Sequence, residues 1–287
     1  MLTGIHFLLT YACTYECDHC FLFSGPFKEG TFTLQQLKSS LLEIQKIGTV
    51  DTIYFEGGEP FLYYPLMLAG IKAARKMGFQ VGIVSNAYWA TSEEDANIWL
   101  EPLLEYQISD LSISDDAYHY SEEAKNLAKH AIAAATKLNL PVGALCIEQP
   151  NPESDKGPMY KGRAADKLTD GLPTKPWLEF TKCPHEDLEN PERVHLDAFG
   201  NIHLCQGISM GNMWETPLSK LVKDYQGKSH PICGPLIRGG PVQLAKEYNV
   251  SYQVGYVDAC HLCYQVRKAL LDQFPEILAP KQVYGID

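Results

Sequence analysis

The stretch Cys13-Thr14-Tyr15-Glu16-Cys17-Asp18-His19-Cys20 comes directly after the apolar run of residues 5–11. A short apolar run bounded by polar residues reads as a buried strand, so these thiols stand at a strand's carboxyl end. Runs of the same kind recur at 52–55, 80–84, 110–114 and 142–147. Between them, residues 34–47, 65–77, 93–106 and 121–138 space their apolar residues as helices do. Thr33 and Ser121 are placed to cap two of these helices. Strand and helix in alternation predict a parallel sheet with right-handed crossovers, as an open doubly wound sheet or as a full or partial barrel. Such folds bind ligands beyond the carboxyl ends of their strands, which makes the residues after each strand the place to look.

The segments after the strands are polar and glycine-rich. Gly57-Gly58-Glu59-Pro60 comes after the second, where the two glycines permit close backbone approach and Glu59 can accept from an ammonium group. Ser85-Asn86 comes after the third, and Ser114-Asp115, then Asp116, Tyr118 and His119, after the fourth. Read alone, such pairs also serve as helix caps or turns.

The chain has 287 residues, with 24 Lys plus Arg against 35 Asp plus Glu, for a net charge of −11. That balance argues against a nucleic-acid groove or an anionic membrane surface as partner and favours small or neutral substrates. No apolar run reaches the roughly 18 residues of a membrane span, and residues 1–9 lack the basic region of a signal peptide. A cytoplasmic location is the expectation, and there nine cysteines point to metal or redox sites rather than disulfides.

Residues 149–158, QPNPESDKGP, end the alternation as a loop or boundary. The expected division is a core of residues 1–170 and a smaller domain of residues 171–287. In the latter, 193–196 and 202–205 flank a polar, glycine-bearing turn and read as a β-hairpin. A short helix is expected at 217–225, and a last one from Cys260 to about Gln273.

The cysteines fall into two sets. For Cys13, Cys17 and Cys20, zinc would want a fourth ligand, which His19 cannot easily supply beside Cys20. An iron-sulfur cube accepts three cysteines and leaves one iron open. Cys183, Cys205, Cys260 and Cys263 form the second set, for which spacing alone leaves structural zinc and an iron-sulfur cube equal. Cys233 is an alternative to Cys183, and Cys146 reads as a small core residue.

C-x-x-x-C-x-aromatic-C, with His19 in the ring position, resembles the signature of the radical S-adenosylmethionine (SAM) superfamily. The resemblance implies a partial (β/α) barrel of five or six parallel strands. It also implies a [4Fe-4S] cluster on Cys13, Cys17 and Cys20 whose open iron binds SAM and whose electron cleaves it to a 5'-deoxyadenosyl radical. Gly57, Gly58 and Glu59 then correspond to the segment that receives the SAM amino group. Ser85, Asn86, Ser114 and Asp115 correspond to polar contacts around SAM. Arg163, in Tyr160-Lys161-Gly162-Arg163-Ala164, corresponds to a partner of its carboxylate. The resembling enzymes commonly place this arginine after a sixth strand, whereas only five strands precede it here.

Cys183, then Gly200-x-x-x-x-Cys205, then Cys260-x-x-Cys263 resembles the twitch domain, a shortened SPASM domain. This implies an auxiliary [4Fe-4S] cluster held by a β-hairpin and a helix, hence two clusters in all. The implied electron donor is a ferredoxin or flavodoxin. The family's alcohol dehydrogenases suggest hydrogen abstraction and net oxidation of a small molecule, with His119, Asp116 and Tyr118 placed to act as base or to fix the substrate. A second reading is cross-linking or epimerisation of a ribosomally made peptide. A reading of another class is a zinc-bound scaffold without catalysis.

Overall fold

β1 (Gly4–Thr10) is almost wholly buried. It begins a unit in which strands and helices alternate: α1 (Leu34–Ile47), β2 (Thr52–Gly57), α2 (Tyr64–Lys76), β3 (Gln80–Ser85), α3 (Glu93–Leu100), β4 (Asp110–Ser114), α4 (Leu127–Lys137) and β5 (Val142–Leu145). The computed structural model describes residues 1–120, 125–150 and 156–286. Ser121, read as a helix cap, and residues 151–155 of the boundary loop lie outside the described residues. The chain divides into two units, one of Thr3–Cys17 and Ser24–Gln149, the other of Met1–Leu2, Asp18–Phe23 and Pro150–Asp287. Residues 150–170, assigned to the core from sequence, fall in the second unit.

In the first unit the five strands run parallel in the order β5-β4-β3-β2-β1. The apolar residues of the inner strands meet on the sheet, as with the Phe7 and Phe55 rings stacked 5.6 Å apart. Fully burying each such ring contributes about 1.5–3 kcal/mol. Thr33 and Gln36 form a reciprocal capping box at the start of α1, which satisfies two otherwise orphaned donors. The expected helix over 93–106 is instead α3 followed by a tighter 3-10 stretch, Glu101–Tyr106. Pro102 has no N–H to continue the i→i−4 ladder.

The second unit contains α5 (Arg163–Lys167), β6 (Lys175–Pro176), the antiparallel strands β7 (Arg193–Asp197), β8 (Asn201–Cys205) and β9 (Ile208–Asn212), α6 (Leu218–Asp224), α7 (Cys233–Glu247), β10 (Gly255–Tyr256) and α8 (Ala259–Ala269). The hairpin is tied from within. Asp197 is fully buried and accepts from Asn201 N at 2.8 Å, from Asn201 Nδ2 at 3.0 Å and from His203 Nε2 at 3.1 Å. Gly207 N donates to His203 Nδ1 at 3.2 Å, so the hairpin leaves β8 in a fixed direction beside Cys205. Among the described residues no helix is long and apolar enough to cross a membrane.

Candidate cofactor sites

In the first unit the sheet delivers its polar residues to one end. Near the ends of β1 and β2 the register shifts between Leu8 and Thr10, pairing Thr10 with Gly57, and the chain then folds the glycine segment onto the cysteine loop. Gly58 N donates to Thr10 O at 2.7 Å and Glu59 N to Ala12 O at 2.9 Å. The approach is so close that a Cβ on Gly58 would lie 2.1 Å from Ala12 O. Gly57 has φ 127, a conformation that side chains disfavour.

Glu59 is fully buried and its carboxylate is taken up within the fold. Oε1 accepts from Phe61 N at 3.0 Å and from Ser85 Oγ at 2.9 Å, and Oε2 accepts from Asn86 N at 2.7 Å. Burial pushes this carboxyl up to about 7, against the three hydrogen bonds that favour its charged form. Ser85 is held in its donor role, because its oxygen already accepts from Ala87 N and Trp89 Nε1, both at 3.0 Å. The Asn86 amide then donates to Cys13 Sγ at 3.4 Å and to Thr14 Oγ1 at 3.1 Å. Cys13, Gly58, Glu59, Ser85 and Asn86 are thus one connected set, to which the Tyr120 hydroxyl adds a bond to Asn86 O.

Past β4, Asp116 accepts from Tyr118 N at 3.0 Å and pairs with His119 Nδ1 at 2.8 Å. Ile147 N reaches its second oxygen at 3.3 Å. The His119 ring meets Tyr15 edge-on at 6.0 Å. Asp115 accepts from Asn126 Nδ2 at 2.6 Å, and Ser114 is buried at the end of β4. Tyr118 keeps a buried hydroxyl within this turn. Cys146, read as a core residue, is exposed. It stands just beyond β5, the end strand of the sheet, and its thiol donates to Asp115 O at 2.8 Å.

In the second unit, His19 and Cys20 lie on the short segment Asp18–Phe23. Arg163 N donates to Cys20 O at 2.9 Å. Gly162 has φ 60, and a Cβ there would sit 2.4 Å from Phe21 Cα. Arg163 is buried, with its guanidinium 5.4 Å above the Phe23 ring.

Cys183, Cys205, Cys260 and Cys263 all line one pocket, with Lys161, Arg267, Leu236 and Pro241 among their neighbours. Cys233 is buried and hydrogen-bonded with Tyr225, and is not part of that lining. Asp258 caps α8, accepting from His261 N at 2.6 Å, which sets Cys260 and Cys263 in the helix's first turns. Backbone N–H groups of His185 and Glu186 point to the Cys183 sulfur. Burial pushes the Cys263 thiol up to about 11 and holds Cys260 well above the usual thiol range.

Residues 7–143, which run from within β1 to within β5, match the family model of the radical SAM superfamily. That segment is a radical SAM domain. The chain is 24% identical over 249 residues, 84% of this chain and 72% of that protein, to "Putative peptide biosynthesis protein YydG" of Bacillus subtilis. Over 86 residues, 30% of either chain, it is 32% identical to an S-adenosylmethionine-dependent nucleotide dehydratase of Selenomonas ruminantium. The crystal structure of BtrN in complex with AdoMet and 2-DOIA is similar in fold, with a TM-score of 0.53 and 16% identity over 77% of this chain and 82% of that one.

The radical SAM fold accounts for the α/β core, with five parallel strands before Arg163. Several residues around its sites carry no motif of their own, Tyr120, Trp89 and Gln206 among them. Arg267 leaves one signal, since Cys260, Cys263 and Arg267 stand at i, i+3 and i+7 and share a face of α8.

Proposed function

We propose that this chain is a radical SAM enzyme that abstracts hydrogen from a C–H bond of a peptide, and that the pocket of Cys183, Cys205, Cys260 and Cys263 holds an auxiliary [4Fe-4S] cluster. The observation that carries the peptide reading is the alignment, over 84% of the chain, with a relative named for peptide biosynthesis. The likeness to BtrN, at 16% identity, speaks for the fold alone. Bound SAM and its cluster supply the carbon radical that takes the hydrogen, and the protein supplies position and exclusion of water.

Cys13, Cys17 and Cys20 are the proposed ligands of the SAM cluster. Asn86 orients Cys13 through its amide, and the backbone of Gly57 and Gly58 offers polar groups to the SAM amino group. Glu59, with both oxygens engaged, acts as the brace that holds this backbone. Asp116 fixes the His119 ring through Nδ1, which leaves the lone pair on Nε2 in the neutral tautomer as the site that takes a proton.

For the second pocket the choice lies between zinc and a cube. Tetrahedral zinc, with Zn–S near 2.3 Å, holds its sulfurs about 3.8 Å apart. Iron and zinc counts on the purified protein decide between the two.

Anaerobic purification is the first test, with about eight irons and eight sulfides expected for two cubes. The second is incubation with SAM, a reductant and the precursor peptide encoded nearest to the gene. A mass change in the peptide, accompanied by 5'-deoxyadenosine, supports the reading. Oxidation of small polyols with the peptide unchanged would overturn it in favour of a dehydrogenase.

A further inference from the structure

Among the described residues, Lys161 and Arg267 are buried cations with no carboxylate in hydrogen-bond contact. Lys161 is 3% exposed and Arg267 1% exposed. Lys161 Nζ donates to Gln206 Oε1 at 2.6 Å and lies 3.5 Å from Cys205 Sγ, with the Phe21 ring at 5.2 Å. Arg267 Nη1 donates to Gln206 O at 2.8 Å and to Tyr284 Oη at 3.2 Å, and Tyr284 donates its own proton to Gly207 O at 2.7 Å. Arg267 Nε has no hydrogen-bond acceptor among the described residues. Both side chains line the pocket of the four cysteines. A single residue next to Cys205 organises both, since Gln206 takes Lys161 on its side chain and Arg267 on its backbone.

A buried charge is stable only when something of opposite sign faces it; the Cys205 and Cys260 sulfurs act on Lys161 more strongly than the Glu186 carboxylate does, and the Cys263, Cys205 and Cys260 sulfurs act on Arg267 beside the Tyr284 hydroxyl. Four thiolates around a [4Fe-4S] core of charge 2+ leave a net charge of −2, which two cations cancel. Reduction by one electron adds a further negative charge, and adjacent cations favour that state. Net charge and hydrogen bonds to the sulfurs are the levers that set such potentials. Cys13, by comparison, receives a neutral amide from Asn86 at 3.4 Å.

We infer that Lys161 and Arg267 are the counter-charges of the auxiliary cluster and raise its reduction potential, which suits it to accept an electron. The inference rests on the reading of this pocket as a cluster site. Neither residue is a catalytic group; both are positioning residues that act through the cluster.

The test uses the full chain carrying Cys13→Ala, Cys17→Ala and Cys20→Ala, so that only the auxiliary cluster is read, with iron counted and the potential followed by electron paramagnetic resonance. Lys161→Met is expected to shift the reduced-to-oxidised ratio at a fixed potential at least tenfold toward oxidised, about 59 mV for one electron. Lys161→Arg should stay at the parent value, and Arg267→Gln against Arg267→Lys should behave in the same way. An intact cluster with unchanged potential in Lys161→Met and Arg267→Gln would overturn the inference. Loss of iron in Lys161→Met but not in Lys161→Arg supports charge compensation, whereas loss in both overturns it. A parent protein with zinc and no iron in this pocket defeats the cluster reading itself, and the metal count shows this before any variant is made.

Discussion

Glu59 Oε2 accepts the backbone N–H of Asn86 at 2.7 Å, which ties the turn after β2 to the turn after β3. Through the Asn86 side chain the tie continues to Cys13 Sγ at 3.4 Å. The position of a proposed cluster ligand therefore depends on a carboxylate that faces no solvent.

Because burial raises the Glu59 carboxyl from 4.5 to about 7, folding binds a proton over that interval that the unfolded chain has released. The stability contributed by this group is fully present below about pH 4.5 and is lost as the pH rises to about 7, a change of about 3 kcal/mol. Glu59→Gln should abolish that slope. It should also lower stability by about 1–3 kcal/mol, since one amide N–H would oppose a backbone donor. Urea unfolding of both proteins at several pH values checks this, and parallel pH profiles would refute it.

Removing the amide from Cys13 tests its part in cofactor function. Asn86→Ala deletes the donor to Cys13 Sγ and Thr14 Oγ1 but leaves the backbone N–H that Glu59 accepts. Partners that orient metal ligands typically contribute about 10- to 100-fold in affinity or activity. A fall of that size in 5'-deoxyadenosine formation per bound iron is expected, together with a loss of about 1–3 kcal/mol of stability, because Asn86 Oδ1 also accepts from Tyr88 N at 3.0 Å. Activity equal to that of the parent at equal iron content would remove Asn86 from the site.

At Gly58 the prediction is steric. Its missing Cβ would stand 2.1 Å from Ala12 O, and backbone cannot yield as a flexible side chain does. Gly58→Ala should displace the cysteine loop and lower the iron bound at Cys13, Cys17 and Cys20, leaving the iron at the second pocket in place. Equal iron at both sites by metal analysis, with normal SAM cleavage, would show that the loop tolerates the shift.

How much of the molecule is legible in its sequence differs by element. β1 to β5 can be read because each is a short apolar run with a polar end, and the pairing of Cys260 with Cys263 can be read because C-x-x-C sets two side chains on one face of a helix. α7 cannot, since Pro235, Gly239, Gly240 and Pro241 interrupt its period and the helix is kinked there. The inward role of Glu59 is also hidden. A carboxylate after two glycines reads as a ligand for an ammonium group, and only packing reveals that Phe61, Ser85 and Asn86 occupy it. Cys146 reads as core because period and composition do not tell an inner strand from the end strand of a sheet.

The pair of Asp116 and His119 gives a prediction that distinguishes the substrate step from SAM cleavage. The His119 ring is oriented by Asp116 at 2.8 Å, and Asp116 is itself anchored by Tyr118 N and Ile147 N. Replacing the carboxylate by an amide in Asp116→Asn keeps the shape but allows the wrong ring tautomer. If His119 takes a proton from the substrate, both Asp116→Asn and His119→Ala should still form 5'-deoxyadenosine while losing product about 10²- to 10⁴-fold. Deuterium from a labelled peptide should still enter 5'-deoxyadenosine in either variant, because hydrogen abstraction precedes the proton step. Loss of deuterium transfer and product together would instead place the pair in substrate binding.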